Sequence, residues 1–257
     1  MRVQRRLRIA SFPEARAARP GTAAILSGGW ASNGNFGLSI HPDAIYAFSV
    51  KFFDPYEVIR MTLHRLPHWE QPGATYFITF RLGDSVPQSL LRIWREERSE
   101  WLAAHPEPHT PELEAEYHRR FSDRIDQWLD AGHGSCLLAE PPCQEAVADA
   151  LRFFDGQRYE LLSWVIMPNH VHVCVVFHPD STLKNILFSW KRRSAGTINR
   201  AHGASGQVWM RDYFDRIIRD ENHLRNVVRY IRRNPGIAKL SGDRFRLWES
   251  EMARTIE

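Results

Sequence analysis

No stretch of this 257-residue chain approaches the roughly 20 consecutive apolar residues that a membrane-spanning helix requires. The most apolar run, Leu161 to Phe177, is interrupted by Asn169, His170 and His172. Arg2, Arg5, Arg6 and Arg8 crowd the start, but the continuous apolar segment of a secretory leader does not follow them, so a cytoplasmic location is expected. Cysteine is scarce: Cys136, Cys143 and Cys174 are odd in number and lack CxxC spacing, so neither a disulfide framework nor a zinc knuckle is supported. Periodicity is missing from residues 1–60, where Gly21, Gly28-Gly29, Gly34 and Gly37 sit among Ser and Asn. A poorly ordered N-terminal extension is expected there, or an upstream start with Met61 as the natural one. Internal repeats are absent as well.

What remains is enough for one good core, with 43% hydrophobic residues. Charge is unevenly placed. Residues 96–160 hold 6 Lys/Arg against 15 Asp/Glu, a balance of −9, and residues 184–246 hold 15 against 5, a balance of +10. In the cationic part Lys191, Arg192, Arg193, Arg200, Arg211, Arg216, Arg219, Arg225, Arg229, Arg232 and Arg233 are mixed with Trp190, Trp209, Tyr213 and Phe214. Basic side chains follow phosphates and aromatic faces stack on unpaired bases, a combination suited to single-stranded nucleic acid. The acidic block falls in segments 89–104 and 111–130, read as two helices, with Thr110 capping the second and Pro111 in its first turn. A carboxylate run on a helix reads as a solvated face.

The densest chemical signal is His170-Val171-His172, in a β-branched run broken at Pro168-Asn169. Alternate residues of a strand face the same way, so the two imidazoles point together from bases about 7 Å apart. Two imidazoles on a rigid buried strand can converge on one divalent ion, whereas a core packed for stability alone has little use for them. Farther along, Asp220 is a good N-cap, and Leu224, Val227, Val228 and Ile231 recur at helical spacing until Pro235-Gly236, which predicts a helix over 221–234. Tyr230 and Asn234 fall one above the other on a flank of its apolar stripe and can face a cleft.

Met167-Pro-Asn-His-Val-His172, the Ser189-Trp-Lys191 helix, Tyr213-Phe-Asp-Arg-Ile-Ile-Arg-Asp220 and Tyr230-Ile-Arg-Arg-Asn-Pro235 together resemble the REP-associated tyrosine transposases, relatives of the one-tyrosine HUH transposases of single-stranded DNA. The resemblance runs in order from about residue 62 to 240. It implies that His170, His172 and Asn234 hold Mg²⁺ or Mn²⁺ and that Tyr230 attacks a DNA phosphodiester, leaving a 5′-phosphotyrosine and a free 3′-hydroxyl. Asn234 stands where insertion-sequence members usually carry Gln. The implied partner is single-stranded DNA folded as palindromic hairpin repeats, met in the cytoplasm at the nucleoid by a monomer or a homodimer. Lys191, Arg192, Arg193, Arg211, Arg216, Arg219, Arg229, Arg232 and Arg233 are the expected DNA contacts.

Strand 75–81, a helix over 144–154, the histidine hairpin, a helix near 182–200 and a strand near 213–218 complete an α+β pattern. The expected fold is a ferredoxin-like antiparallel sheet with helices packed on it. Its domain would span 61–247, with a helical insertion at 85–135 and a tail at 248–257. Two other functions fit the residues less fully. A domesticated hairpin-binding protein would bind DNA without cutting it. A histidine-triad nucleotide hydrolase would use His172 as nucleophile, but Cys174 occupies its third histidine position.

Overall fold

The computed structural model describes residues 50–63, 67–106 and 110–257; the expected N-terminal extension up to residue 49 lies outside them. Two short strands come first, β1 (Arg60–Leu63) and β2 (Pro67–Glu70), paired antiparallel. Then follow β3 (Thr75–Arg81), α1 (Gln88–Ala104), α2 (Pro111–Tyr117), a five-residue π-helical stretch and α3 (Asp123–Asp130). The chain continues with α4 (Pro141–Arg152), β4 (Tyr159–Ile166), β5 (His170–Phe177) and α5 (Leu183–Ala201). It closes with β6 (Phe214–Ile217), α6 (Glu221–Ile237), β7 (Arg246–Glu249) and α7 (Glu251–Arg254).

The main sheet is wholly antiparallel in the order β6-β3-β5-β4-β7. Its first four strands reproduce the ferredoxin-like arrangement, because β3-α4-β4 and β5-α5-β6 are two interlocked strand-helix-strand units. Period-2 alternation along β5 sorts the layers. Val171, Val173 and Val175 join the core under α4 and α5, whereas Cys174 and Val176 face the core built with α6. Helix α6 is fixed by Leu224, Val227, Val228 and Ile231 on that second face, and the Asp220 carboxylate accepts from His223 N at 2.8 Å as its N-cap. Phe121, Ile125 and Leu129 pack with Trp94 and Trp101 into a separate small core for the inserted helices.

Several sequence expectations shift. Residues 50–53 already belong to the fold: Val50 and Phe52 pack against the α6 core, Lys51 O accepts from Thr75 N and Phe53 N donates to Ile218 O, so the boundary at residue 60 is too late. Helix α6 does not stop at Pro235-Gly236. It runs to Ile237, with Asn234 and Pro235 buried and Ala238 N bonded to Asn234 O at 3.0 Å; Pro235 removes one ladder donor without ending the helix, because burial holds it. The π-helical stretch interrupts what the sequence reads as one helix over 111–130. The tail is also structured. Segment 246–249 adds β7 to the sheet edge, and Ser250 caps α7 by accepting from Ala253 N at 3.2 Å.

Candidate active site

The strand register brings the histidines into the layer between sheet and α6. On β5, His172 lies opposite Thr79 of β3 and Val165 of β4, and His170 opposite Arg81. Both rings are fully buried, and their Nε2 atoms converge to 3.1 Å. Each outer nitrogen is held: His172 Nδ1 by Thr79 Oγ1 at 2.7 Å, His170 Nδ1 by Asn169 Oδ1 at 2.8 Å. These outer bonds fix ring orientation, as they do for histidines whose inner nitrogens hold an ion. Burial lowers both pKa values, with His172 down to about 3 and His170 driven down further by its neighbour. The pair is therefore uncharged at neutral pH, the state a metal ligand needs.

From α6 the Tyr230 ring meets His172 edge to face, with centroids 5.2 Å apart, and meets Phe77 of β3 in the same way at 5.8 Å. Phe77 also stacks on His172 at 5.4 Å, so one aromatic trio holds the phenol beside the histidine pair. Tyrosine and histidines meet within a single chain. The Tyr230 hydroxyl is buried and makes no hydrogen bond of ordinary geometry, although the Asp126 carboxyl lies close enough to interact with it. Burial raises its pKa well above the usual phenol value, and the negative fields of Asp126 and Asp130 add to the rise. Asn234 is completely buried, and neither its amide oxygen nor its nitrogen has a partner. An unpaired buried amide costs a few kcal/mol unless something satisfies it.

Sequence reasoning missed two groups here. Asp126 and Asp130, expected on a solvated face, sit one turn apart on α3; the fields of both act on Tyr230, and that of Asp126 also acts on Arg216. Burial is the main cause that raises the Asp126 carboxyl to about 7 and Asp130 to about 6. The available signal was the i, i+4 spacing of these carboxylates directly beside the buried stripe Ile125 and Leu129.

The basic residues divide. Arg216 on β6 lies near Tyr230, and its Nη2 contacts His118 Nδ1 at 2.8 Å. Lys191 is absorbed by the fold: its Nζ donates to the carbonyls of Met210, Arg211 and Asp212 at 2.9–3.3 Å, and burial lowers its pKa to about 8. Arg232 likewise grips Glu249 at 2.9 Å and the carbonyls of Ala253 and Ile256, and Arg229 donates to Glu257 O. Arg192, Arg193, Arg211, Arg219 and Arg233 are exposed. Arg192 and Arg193 line a groove of about 850 Å³ between α5 and the turn that follows α4, with Phe153 and Phe188, which are 45% and 62% exposed. The expected base-stacking residues Trp190 and Trp209 are instead core, donating to Tyr159 Oη and Ser194 Oγ at 2.8 and 3.0 Å. Glu140, Cys143 and His202 form a second cluster with ligand atoms within 4.8 Å of one another; His202 Nε2 contacts Cys143 Sγ at 3.2 Å and Glu140 at 3.5 Å.

Comparison with known proteins gives one family match, over part of the chain. Residues 141–234, from the start of α4 to Asn234, fit the family model described as "Transposase IS200 like". Over this span the chain is similar to the IS200-like transposases. The matched span takes in both histidines, Tyr230 and Asn234, and leaves out β3 and the inserted helices. No curated protein matches. Among solved structures, "Structure of the REP associates tyrosine transposase bound to a REP hairpin" has 17% identity, covers 65% of this chain and 69% of that one, and gives a TM-score of 0.34. A second, "Crystal structure of a putative transposase from deinococcus radiodurans r1", has 14% identity, covers 72% and 98%, and gives 0.30. Among the described residues no helix is long and apolar enough to cross a membrane.

Proposed function

We propose that this protein is a transposase acting on single-stranded DNA, cutting and rejoining a strand through covalent attachment to Tyr230. The observation that carries the reading is the meeting of the Tyr230 ring with His172 at 5.2 Å, beside a paired His170 and the unsatisfied Asn234 amide. His170, His172 and Asn234 fit a divalent cation such as Mg²⁺ or Mn²⁺: two neutral imidazole nitrogens converge, and a carboxamide oxygen one helical turn beyond Tyr230 lacks any other partner. When bound, that cation supplies charge to polarise the scissile phosphate. Phe77 and His172 orient the phenol. The Tyr230 oxygen forms the new ester with phosphorus, and the DNA 3′ oxygen leaves as a hydroxyl. Because the ester stores the bond, a second 3′-hydroxyl can displace Tyr230 and join a new end.

The test uses hairpin oligonucleotides labelled at the 5′ or the 3′ end, incubated with the protein with and without Mn²⁺. A covalent adduct retaining only the 3′-labelled piece is the expected result, and an adduct retaining the 5′ label opposes the reading. The cation assignment has its own check. Asn234→Leu should lose the thermal stabilisation that Mn²⁺ confers, while the metal-free variant melts no lower than wild type because both amide atoms are unpaired. An unchanged Mn²⁺ shift removes Asn234 from the ligand set.

The groove between α5 and the turn after α4 is the proposed strand-binding surface. Arg192 and Arg193 lie over the rings of Phe188 and Phe153, so each charge sits on an aromatic face, and DNA hairpins or single strands carry the matching phosphates and bases. Phe188→Ala should cost about 1–3 kcal/mol of single-strand binding. Arg192→Ala with Arg193→Ala should weaken binding and reduce the salt slope by roughly 0.7 per phosphate contact removed, measured by fluorescence anisotropy from 50 to 200 mM salt. A domesticated binder would show both effects without forming any adduct. Cys174 speaks against a histidine-triad reaction, since its thiol is buried and pushed up to about 12.

A further inference from the structure

A second set of donor atoms converges on the other face of the sheet. Cys143, in the first turn of α4, is fully buried in the core that α4 and α5 share, whereas His172 meets Tyr230 in the α6 layer. Glu140 is the N-cap residue of α4, and its carbonyl accepts from Cys143 N at 3.0 Å and Gln144 N at 3.1 Å. The first helical turn therefore fixes the carboxylate relative to the thiol. His202 caps the far end of α5, where its backbone N donates to Ile198 O at 3.2 Å. Packing of α4 on α5 brings the start of one helix to the end of the other.

The His202 Nε2 atom stands 3.2 Å from Cys143 Sγ and 3.5 Å from a Glu140 carboxylate oxygen, and the three ligand atoms all lie within 4.8 Å of one another. One ring nitrogen thus faces two electron-rich neighbours. It carries a single proton or a single lone pair, so a hydrogen bond serves one neighbour well and leaves the other poorly matched. A divalent cation is shared by all three. With bonds of about 2.3 Å to sulfur and about 2.1 Å to nitrogen and oxygen at tetrahedral angles, S···N is about 3.6 Å and N···O about 3.4 Å. The side chains already stand close to those separations.

We propose that Glu140, Cys143 and His202 bind Zn²⁺ as a clamp between the start of α4 and the end of α5, a site separate from the centre at Tyr230. Thiolate with imidazole selects zinc over Mg²⁺ and Mn²⁺, which prefer oxygen. The Glu140 carboxylate and the Cys143 thiolate balance the charge of the ion, and the thiol proton passes to solvent as the metal enters. Glu140 and His202 have side chains 54% and 29% exposed, which gives the ion a path in and leaves its fourth position to water.

The experiment adds Co²⁺ to the full chain after reduction and removal of metals with a chelator. Cobalt occupies zinc sites, and its thiolate-to-metal charge-transfer absorption cannot arise from imidazole or oxygen ligands alone. Wild type should show that band, Zn²⁺ should abolish it by displacement, and excess Mg²⁺ should leave it in place. The band should be lost in Cys143→Ser and in His202→Ala. Because His202 is exposed, its variant keeps the test open if Cys143→Ser does not fold. Zn²⁺ should also raise the melting temperature of wild type more than that of His202→Ala. A wild type without the band overturns the inference, leaving a surface ion pair beside a buried thiol. A band undiminished in folded His202→Ala assigns the thiolate to another cysteine and overturns it equally. Neither outcome bears on the chemistry of Tyr230.

Discussion

Tyr230→Phe is expected to abolish the covalent adduct, lowering strand cleavage by at least about 10³-fold, because the substitution removes the only atom that can form the ester. The substitution should leave the fold intact. The Tyr230 oxygen is buried without a hydrogen bond, so its deletion removes a desolvated polar group and leaves nothing unpaired. The ring contacts to His172 and Phe77 survive in Phe. The variant should therefore melt at or slightly above the wild-type temperature, a gain of up to about 1 kcal/mol. Binding of hairpin DNA in the groove along α5 should be unchanged, since that surface lies across the sheet from α6. A gel assay paired with a melting curve separates these outcomes. Residual adduct at the wild-type level would move the nucleophile elsewhere, and a large loss of stability would mean that the hydroxyl has a structural partner.

The second large effect concerns acid. His170 and His172 are buried uncharged, with pKa values below the unfolded value of about 6.5. Their contribution to stability is complete above that value and is lost as pH falls from 6.5 toward the folded pKa, near 3 for His172. Each fully buried histidine costs about 1.4 kcal/mol per pH unit in that window. Asp126 and Asp130 work in the opposite sense. Their folded pKa values lie above the unfolded one, so their contribution is present below about 3.8 and is lost as pH rises toward about 7 and 6. The two effects offset each other between pH 4 and 6 in the wild type. Replacing the carboxylates by Asp126→Asn and Asp130→Asn exposes the histidine slope, up to about 2.7 kcal/mol per pH unit for the pair. Denaturant titrations at pH 4.5, 5.5 and 6.5 should show the double variant losing stability steeply and the wild type changing little. Equal slopes would mean that one of the two buried sets is solvated.

Strand and helix periods make the histidines and the tyrosine legible in the sequence. Their residues alternate by two on β5 and recur at 3.6 on α6, and burial of the intervening apolar positions fixes which way each chemical group points. Asn234 is legible for the same reason, although its helix passes through Pro235 where local propensity predicts a stop. Burial on the sheet outweighs the lost ladder bond. Asp126 and Asp130 are legible only as an i, i+4 pair beside Ile125 and Leu129; where α3 is held depends on contacts far away in sequence, among them the Asn169 side chain on the Leu129 and His133 carbonyls. The four-residue β7 escapes notice because so short a segment carries too little alternation; its place depends on antiparallel pairing with β4 and on Arg232 gripping Glu249. Trp190 and Trp209 mislead for a related reason. Aromatics among arginines suit nucleic acid, yet whether they face outward is decided by helix phase, and α5 turns Trp190 into the core while Phe188 stays exposed.

If Tyr230 and the histidine pair form one reacting centre within a single chain, the covalent bond to DNA lies on Tyr230 and needs both rings. Tandem mass spectrometry of a trypsin digest, made after the protein has reacted with a 3′-labelled hairpin oligonucleotide and Mn²⁺, locates the bond directly. The prediction is a peptide containing Tyr230 whose phenol oxygen carries the 5′-phosphate of the cleaved strand, absent when His170 and His172 are both replaced by Ala. A modified residue other than Tyr230, or a Tyr230 adduct that forms undiminished without the two histidines, would contradict it.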